Sequence, residues 1–271
     1  MSVEKNWVEE SWLKNIGHGF DWHLANTMST QQMRHLAEVI APKQTGIDLI
    51  RLGGTGNGGY LVPDDLEGLS GSFSPGIGQT ATFDEEMLAR DIPCFLADAS
   101  VSGPPISHPN LTFDPLFLGP ETNGRYISLD DWVARHATSK GDLILQMDIE
   151  GAEYDVFAAA SDEVLSRFRV VLVEFHRVHL CLRAGGYKKI FNTLEKLHKW
   201  YVPVHIHPNN ARPSVRYGEF TVPRTIEISY LRRDRVKDEL TPVEFLPHAL
   251  DVANIPSHPD PALPAWMWQQ K

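Results

Sequence analysis

The chain has 271 residues, 42 % hydrophobic and 22 % charged, a balance that argues against wholesale disorder in a chain long enough to bury a sizeable core. Its 25 Lys and Arg against 35 Asp and Glu leave a net charge of −10, which argues against a broad grip on nucleic-acid phosphate. Two cysteines, Cys94 and Cys181, are too few for a disulfide scaffold and fit a reducing cytoplasm.

The opening segment MSVEKNWVEESWLKN is charged throughout and has no apolar h-region, so no secretory signal is expected. Nowhere do on the order of 18 apolar residues run together, so no membrane span is expected either. Residues 1–45 predict a helical cap: Trp12, Ile16, Phe20 and Leu24 form a loose stripe, Ser29-Thr30-Gln31-Gln32 starts a helix, and Pro42 ends it. Residues 50–62 carry five glycines between apolar flanks, which predicts a hairpin with Asn57-Gly58 at its tip. Those glycines serve either turn geometry or a loop that touches a ligand.

From residue 70 strands and helices alternate. The predicted strands are Gly71–Ser74, Pro93–Ala97, Leu111–Phe113, Leu116–Leu118, Leu143–Met147, Val170–Val173, Val202–Ile206 and Thr225–Leu231. The predicted helices are Thr82–Ala89, one opening at Ser128 with Asp131 as a capping acid, Ala152–Ala160, and Tyr187–Trp200. Short apolar runs separated by helices describe a mostly parallel α/β sheet covered on both faces. The tail from Pro242 is proline-rich and ends in Trp266-Met267-Trp268; such tryptophans dock on the domain or on a neighbouring subunit.

Ligands of such sheets bind beyond the carboxyl ends of the strands. There the chain places Phe73-Ser74-Pro75-Gly76-Ile77-Gly78, a strand followed by G-x-G, and Asp98, an acid 22 residues after Gly76. Together they suit an adenosine-type ligand whose ribose hydroxyls Asp98 accepts, although a plain turn explains either feature alone. In Met147-Asp148-Ile149-Glu150-Gly151-Ala152-Glu153 three of the seven residues are carboxylates, which repel and resist burial without a purpose. Asp148 is the foremost catalytic candidate, while Glu153 suits a helix start. Glu174 and His176 share one face of an extended chain, and His176 is a candidate base beside Asp148 or a plain core or surface histidine. His205 and His207 also share a face and are candidate metal ligands with Asp148.

Gly58-Gly59-Tyr60-Leu61-Val62, Ser72–Gly78 with Phe83-Asp84, Asp98, Ser128-Leu129-Asp130-Asp131, Met147–Glu153 and Val173–His176 occur in an order that resembles FkbM-like class I methyltransferases over roughly residues 48–231. The resemblance implies a Rossmann-like, seven-stranded mostly parallel sheet with helices on both faces. Residues 46–235 would form the methyltransferase domain, with 236–271 as a packed tail. It implies S-adenosylmethionine as cofactor, with Ser74, Gly76 and Gly78 along its methionine part, Asp98 on the ribose, and Ala99 and Ser100 near the adenine. Asp148, His176 and Glu174 would be catalytic. Asp148, His176 and His207 would hold a divalent metal, Mg or Mn, if one is used. Related enzymes methylate sugar hydroxyls in glycans or glycosylated small molecules, so the expected partner is such an acceptor, with room for a homo-oligomer. The rival readings are a nucleotide-cofactor oxidoreductase, which leaves the D-x-E-G-x-E block unexplained, and a non-catalytic glycan- or partner-binding protein.

Overall fold

A computed structural model describes residues 28–137 and 139–269. Ser29 opens α1 (Thr30–Ile40) with a capping box: its hydroxyl accepts from the Gln32 N–H, and the Gln32 side chain accepts from the Ser29 N–H. There follow β1 (Lys43–Gln44), β2 (Leu49–Leu52), β3 (Tyr60–Pro63), β4 (Gly71–Pro75), α2 (Thr82–Leu88), β5 (Cys94–Ala97), β6 (Leu111–Asp114), β7 (Phe117–Gly119), β8 (Tyr126–Ser128) and α3 (Leu129–His136). Next come β9 (Leu143–Met147), α4 (Glu153–Ala159), α5 (Asp162–Arg167), β10 (Phe168–Phe175), α6 (Ala184–Trp200), β11 (Tyr201–Pro208), β12 (Val215–Tyr217), β13 (Phe220–Val222), β14 (Ile226–Arg232) and β15 (Thr241–Pro242).

Seven strands form one sheet in the order β11-β14-β10-β9-β4-β5-β6. β6, β5, β4, β9 and β10 run parallel, and β14 alone is reversed between β10 and β11. This is the mostly parallel α/β sheet of a Rossmann-like methyltransferase fold. Its central strands read as continuous apolar runs because both faces are buried. On one face Phe73, Leu145, Val171 and Val173 pack against α1, α3, α4, α5 and α6. On the other, Leu96, Ile144 and Leu172 pack against α2 and the β2–β3 hairpin. The second face is therefore covered largely by a hairpin, among the described residues.

That arrangement matters for the site. Side chains alternate across a strand, so Gln146, Glu174, Glu227, Ser229, His205 and His207 have parity opposite to the first core and lie on the hairpin's side of the sheet, with Asp148 and His176 just past the ends of β9 and β10. The Ser229 hydroxyl donates to the Leu61 carbonyl and the Gln146 amide to the Tyr60 hydroxyl, which ties the hairpin to this face.

Three local expectations need correction. The hairpin has its turn at Asn57-Gly58, closed by the Gly59 N–H to the Gly56 carbonyl at 3.1 Å, but not as a two-residue connection: β2 and β3 pair from Leu52↔Tyr60 outwards, and residues 53–59 form a wider loop around that turn. Arg51 fills that loop by donating to the Gly54 carbonyl, and α2 holds it through Thr82 to the Gly53 carbonyl. Ser128 does cap α3, but Asp131 does not close a capping box; it accepts from Thr122, whose hydroxyl takes the Ser128 N–H. The helix α5 and the strands β8, β12 and β13 were not expected, being too short for a clear period. The Trp12–Leu24 stripe lies outside the described residues. Cys94 and Cys181 are both buried and free. In the tail, the Trp266 indole donates to the Thr221 carbonyl at 2.9 Å, its ring meets Phe220, and Met267 is fully buried. No helix among the described residues is long and apolar enough to cross a membrane.

Candidate active site

A cavity of about 580 Å³ opens at the carboxyl ends of β4, β5 and β9, within the size range of small-molecule sites. Its floor is the turn after β4. Gly76 has φ +83°, and a Cβ there would fall 1.7 Å from the Asp148 carbonyl oxygen. Only glycine lets the β4 turn pass under the β9 turn this closely. At the β5 side Asp98 is almost fully buried; its carboxylate accepts from the Gly78 N–H at 3.0 Å and from the Ser100 N–H and hydroxyl at 2.7 and 2.6 Å. An ionised carboxylate offers about four lone-pair sites, so acceptor capacity remains. Phe117, Leu118 and Tyr126 supply an apolar wall beside it. Across β4, towards the hairpin, the lining is Asn57, Gly58, Tyr60, Asp84, Gln146 and Asp148.

Of the expected cofactor contacts, Gly76, Gly78, Asp98 and Ser100 line this cavity, whereas Ser74 and Ala99 do not. Ser74 points to the hairpin side of the sheet, is fully buried, and donates to Asp84 at 2.6 Å. Ala99 turns its carbonyl to Arg125 at 2.6 Å. The glycine-rich loop contributes Asn57 and Gly58 to the wall, so it serves turn geometry and the cavity at once.

Beyond Asp148 lies a cluster of titratable groups. The pairing Val173↔Met147 puts Glu174 and Asp148 side by side on adjacent parallel strands. His176 Nε2 lies 3.4 Å from Glu174 Oε1, 3.5 Å from Glu150 Oε2 and 3.8 Å from Asp148 Oδ1. Its Nδ1 is 2.9 Å from Glu153 Oε1. Glu153 is fully buried and also accepts from the Gly151 N–H at 2.9 Å, so one carboxylate fixes both the turn and the imidazole. Gly151 itself sits at φ +110°, out of reach of ordinary side-chain-bearing residues. A helix-start role for Glu153 is thus the smaller part of what it does.

Burial raises the proton affinity of Asp148, opposed by His176 and reinforced by Glu150 and Glu153. Burial raises Glu174 as well, with Asp148 and Glu227 adding to it. Burial pulls His176 down, but the Glu153 hydrogen bond and the charges of Glu153, Glu174 and Asp148 hold it well above the usual imidazole range. Asp148, Glu174 and His176 each offer one ligand atom, all within 4.8 Å of one another. Glu153 orients the imidazole as carboxylates orient metal-bound histidines.

His207 is not part of that group, contrary to the sequence expectation, and Glu174 takes its place. The reason is strand order: β14 intervenes, with His207↔Glu227 and Glu227↔Glu174 as successive cross-strand partners. His207 Nε2 instead meets Asp260 of the tail at 3.0 Å, and its Nδ1 lies 3.9 Å from Glu227. His205 meets Asp251 at 2.9 Å. Asn209 donates to Glu174 at 3.2 Å, and Asn254 of the tail donates to the buried Glu227.

The sequence reading gave no role to Asp84, Tyr60, Gln146, Asn209 or Glu227, although Tyr60 and Asp84 stand in the motifs that carry the resemblance. Glu227 was findable, as the one charge inside the apolar strand Thr225–Leu231. The role of Asp84 was not legible: taken by itself, an acid in the first turn of a helix ordinarily sits there for the dipole.

Residues 102–199 match the family model for the methyltransferase FkbM domain. The matched stretch contains Asp148, Glu150, Glu153, Glu174 and His176, and leaves Gly76, Asp84 and Asp98 outside it. No curated protein matches the chain.

Proposed function

We propose, from the FkbM methyltransferase domain to which residues 102–199 match, that this methyltransferase uses S-adenosylmethionine to methylate a hydroxyl of a sugar in a glycan or glycosylated small molecule. One observation carries the choice of cofactor. The described residues lining the cavity include four carboxylates, Asp84, Asp98, Asp148 and Glu150, and no Lys, Arg or His. Such a cavity repels the pyrophosphate of a nicotinamide or flavin dinucleotide and suits a cationic nucleoside. S-adenosylmethionine is that kind of molecule, with a sulfonium and an ammonium against one carboxylate. Asp98 would hold its ribose, Phe117, Leu118 and Tyr126 would flank its base, and the Gly76 turn would admit its chain.

When bound, the cofactor supplies a methyl group already activated on sulfur, so the protein's share is orientation and proton removal. A sugar hydroxyl is a poor nucleophile at neutral pH and must lose its proton as it attacks. Asp148 stands at the cavity wall with its proton affinity raised by burial to about neutrality, where a general base works best. His176 is held protonated by its acidic neighbours and steadies the ionised form of Asp148. As an alternative to that protonated state, a divalent cation would displace the Nε2 proton of His176 and be held by Asp148, Glu174 and the neutral imidazole, a set that suits manganese better than magnesium; it would acidify the hydroxyl.

The test is calorimetric titration with S-adenosylmethionine, its demethylated product, and NAD(H), each with and without Mg²⁺ or Mn²⁺. The reading requires micromolar binding of the first two, lost in Asp98→Ala, and none of the dinucleotide. Dinucleotide binding in their place would return the oxidoreductase reading.

A further inference from the structure

Asp84 is the buried acid that the reading above leaves without a task. It sits in the first turn of α2, is 2 % exposed, and lines the cavity on the hairpin side. Its carboxylate accepts from the Ser74 hydroxyl at 2.6 Å, and its own carbonyl is met by the Cys94 thiol. Among the described residues no Lys, Arg or His pairs with it. Burying a carboxylate beside a cavity without a cation is costly, and one hydroxyl donor does not offset it. Burial indeed lifts its pKa to about 7 against the pull of Ser74. A bound cation would remove that cost.

The geometry of the cavity says which cation. Asp98 lies at the β5 side, and Asp84 lies across β4, beyond the Gly76 turn. A ligand whose ribose rests on Asp98 therefore directs its amino-acid end towards Asp84. The other two lining acids are committed elsewhere: Asp148 faces His176, and Glu150 projects into solvent. We infer that the Ser74–Asp84 pair is the recognition element for the α-ammonium of the cofactor's amino-acid moiety, with Asp84 in contact and Ser74 as the positioning residue behind it. This rests on the cofactor reading above and adds a residue to it. It also gives Ser74 a role without direct contact with the ligand.

The experiment compares two probes that differ by the amino-acid moiety: S-adenosylhomocysteine, which carries the ammonium, and methylthioadenosine, which does not. Asp84→Asn keeps an acceptor for Ser74 and the side-chain volume, so the variant is expected to fold. In calorimetric titration it should weaken S-adenosylhomocysteine roughly 10- to 100-fold, the size of a lost hydrogen bond to a charged group, and leave methylthioadenosine unchanged. Ser74→Ala should show the same selectivity with a smaller loss. In the wild-type chain, the S-adenosylhomocysteine analogue lacking the α-amino group should lose the same factor, which tests the pairing without any variant. Equal losses for both probes, or no loss for either, would overturn the inference while the cofactor reading stands. Absence of any binding to the wild type would overturn both.

Discussion

The two ends of the central sheet treat buried acids in opposite ways. At the amino-terminal ends of the parallel strands, Asp142 meets Arg169 at 2.9 Å and Arg232 at 2.7 Å, and Asp65 meets Arg235 through two bonds of 2.7 Å. The Arg235 hydrogen bonds hold Asp65 below the usual carboxylate range, and Arg232 and Arg169 overcome burial to do the same for Asp142. At the carboxyl-terminal ends, Asp148, Glu174 and Glu227 lean on histidines, amides and further acids, with only the charge of Arg51 pulling Glu227 the other way, and burial pushes all three up. Similar groups in one sheet are stabilising below and costly above. A fold retains a costly cluster where it serves a ligand or a reaction, and here that cluster stands at the carboxyl ends of the strands.

The largest expected effect is on turnover. Asp148→Asn should lower methyl transfer by roughly 10²- to 10⁴-fold, the range for a lost general base, with an unchanged melting curve. Radiolabel transfer to a panel of sugar acceptors measures it, and normal turnover would remove Asp148 from the mechanism.

Stability should respond with opposite sign at the two ends. Arg169→Met breaks the buried lower network, where Arg169 also donates to the Asp65 and Glu67 carbonyls, and should cost about 3 kcal/mol in chemical denaturation. Glu174→Gln removes an upper acid whose raised proton affinity costs stability as pH rises above the unfolded carboxylate value, so it should gain about 1 kcal/mol already at neutral pH and more in alkali. Equal losses in both variants would erase the distinction drawn between the ends.

The pH dependence sharpens it further. Asp65 and Asp142 have depressed folded values, so their contribution is present above the unfolded carboxylate value and is lost as pH falls through the folded ones. Asp84 is raised to about 7, so between about pH 4 and 7 the native state binds more protons than the unfolded one and stability declines as pH rises. Asp84→Asn should flatten that decline; Asp142→Asn should soften the acid limb. A stability curve from urea titrations at stepped pH separates the two, and an unaltered slope in Asp84→Asn would mean its burial costs little.

The smallest effect concerns the tail. Trp266→Phe forfeits one hydrogen bond to Thr221 while keeping the ring contact with Phe220, and should cost about 1 kcal/mol. A loss several times larger in thermal unfolding would mean that the tail is integral to the core.

By itself the sequence determined the layered α/β architecture, because hydrophobic period and strand length are local properties. The strand-end acids Asp98, Asp148 and Glu174 were legible for the same reason: a charge that stops an apolar run marks a sheet edge, and sheet edges are where ligands bind. Alternation alone placed Glu174 with His176 and His205 with His207. Which of these pairs would meet Asp148 was decided only by tertiary structure. It depends on the order of β9, β10, β14 and β11 across the sheet, a long-range choice with no local signature, and that order seats Glu174 beside Asp148 and sends His207 to Asp260. The same holds for Asp84. Its sequence context is an ordinary helix start, and only the docking of α2 over β4 encloses its carboxylate against Ser74 at the cavity wall. Local patterning specifies what each segment buries; the packing of distant segments specifies which buried charges are left unpaired, and those carry the proposed chemistry.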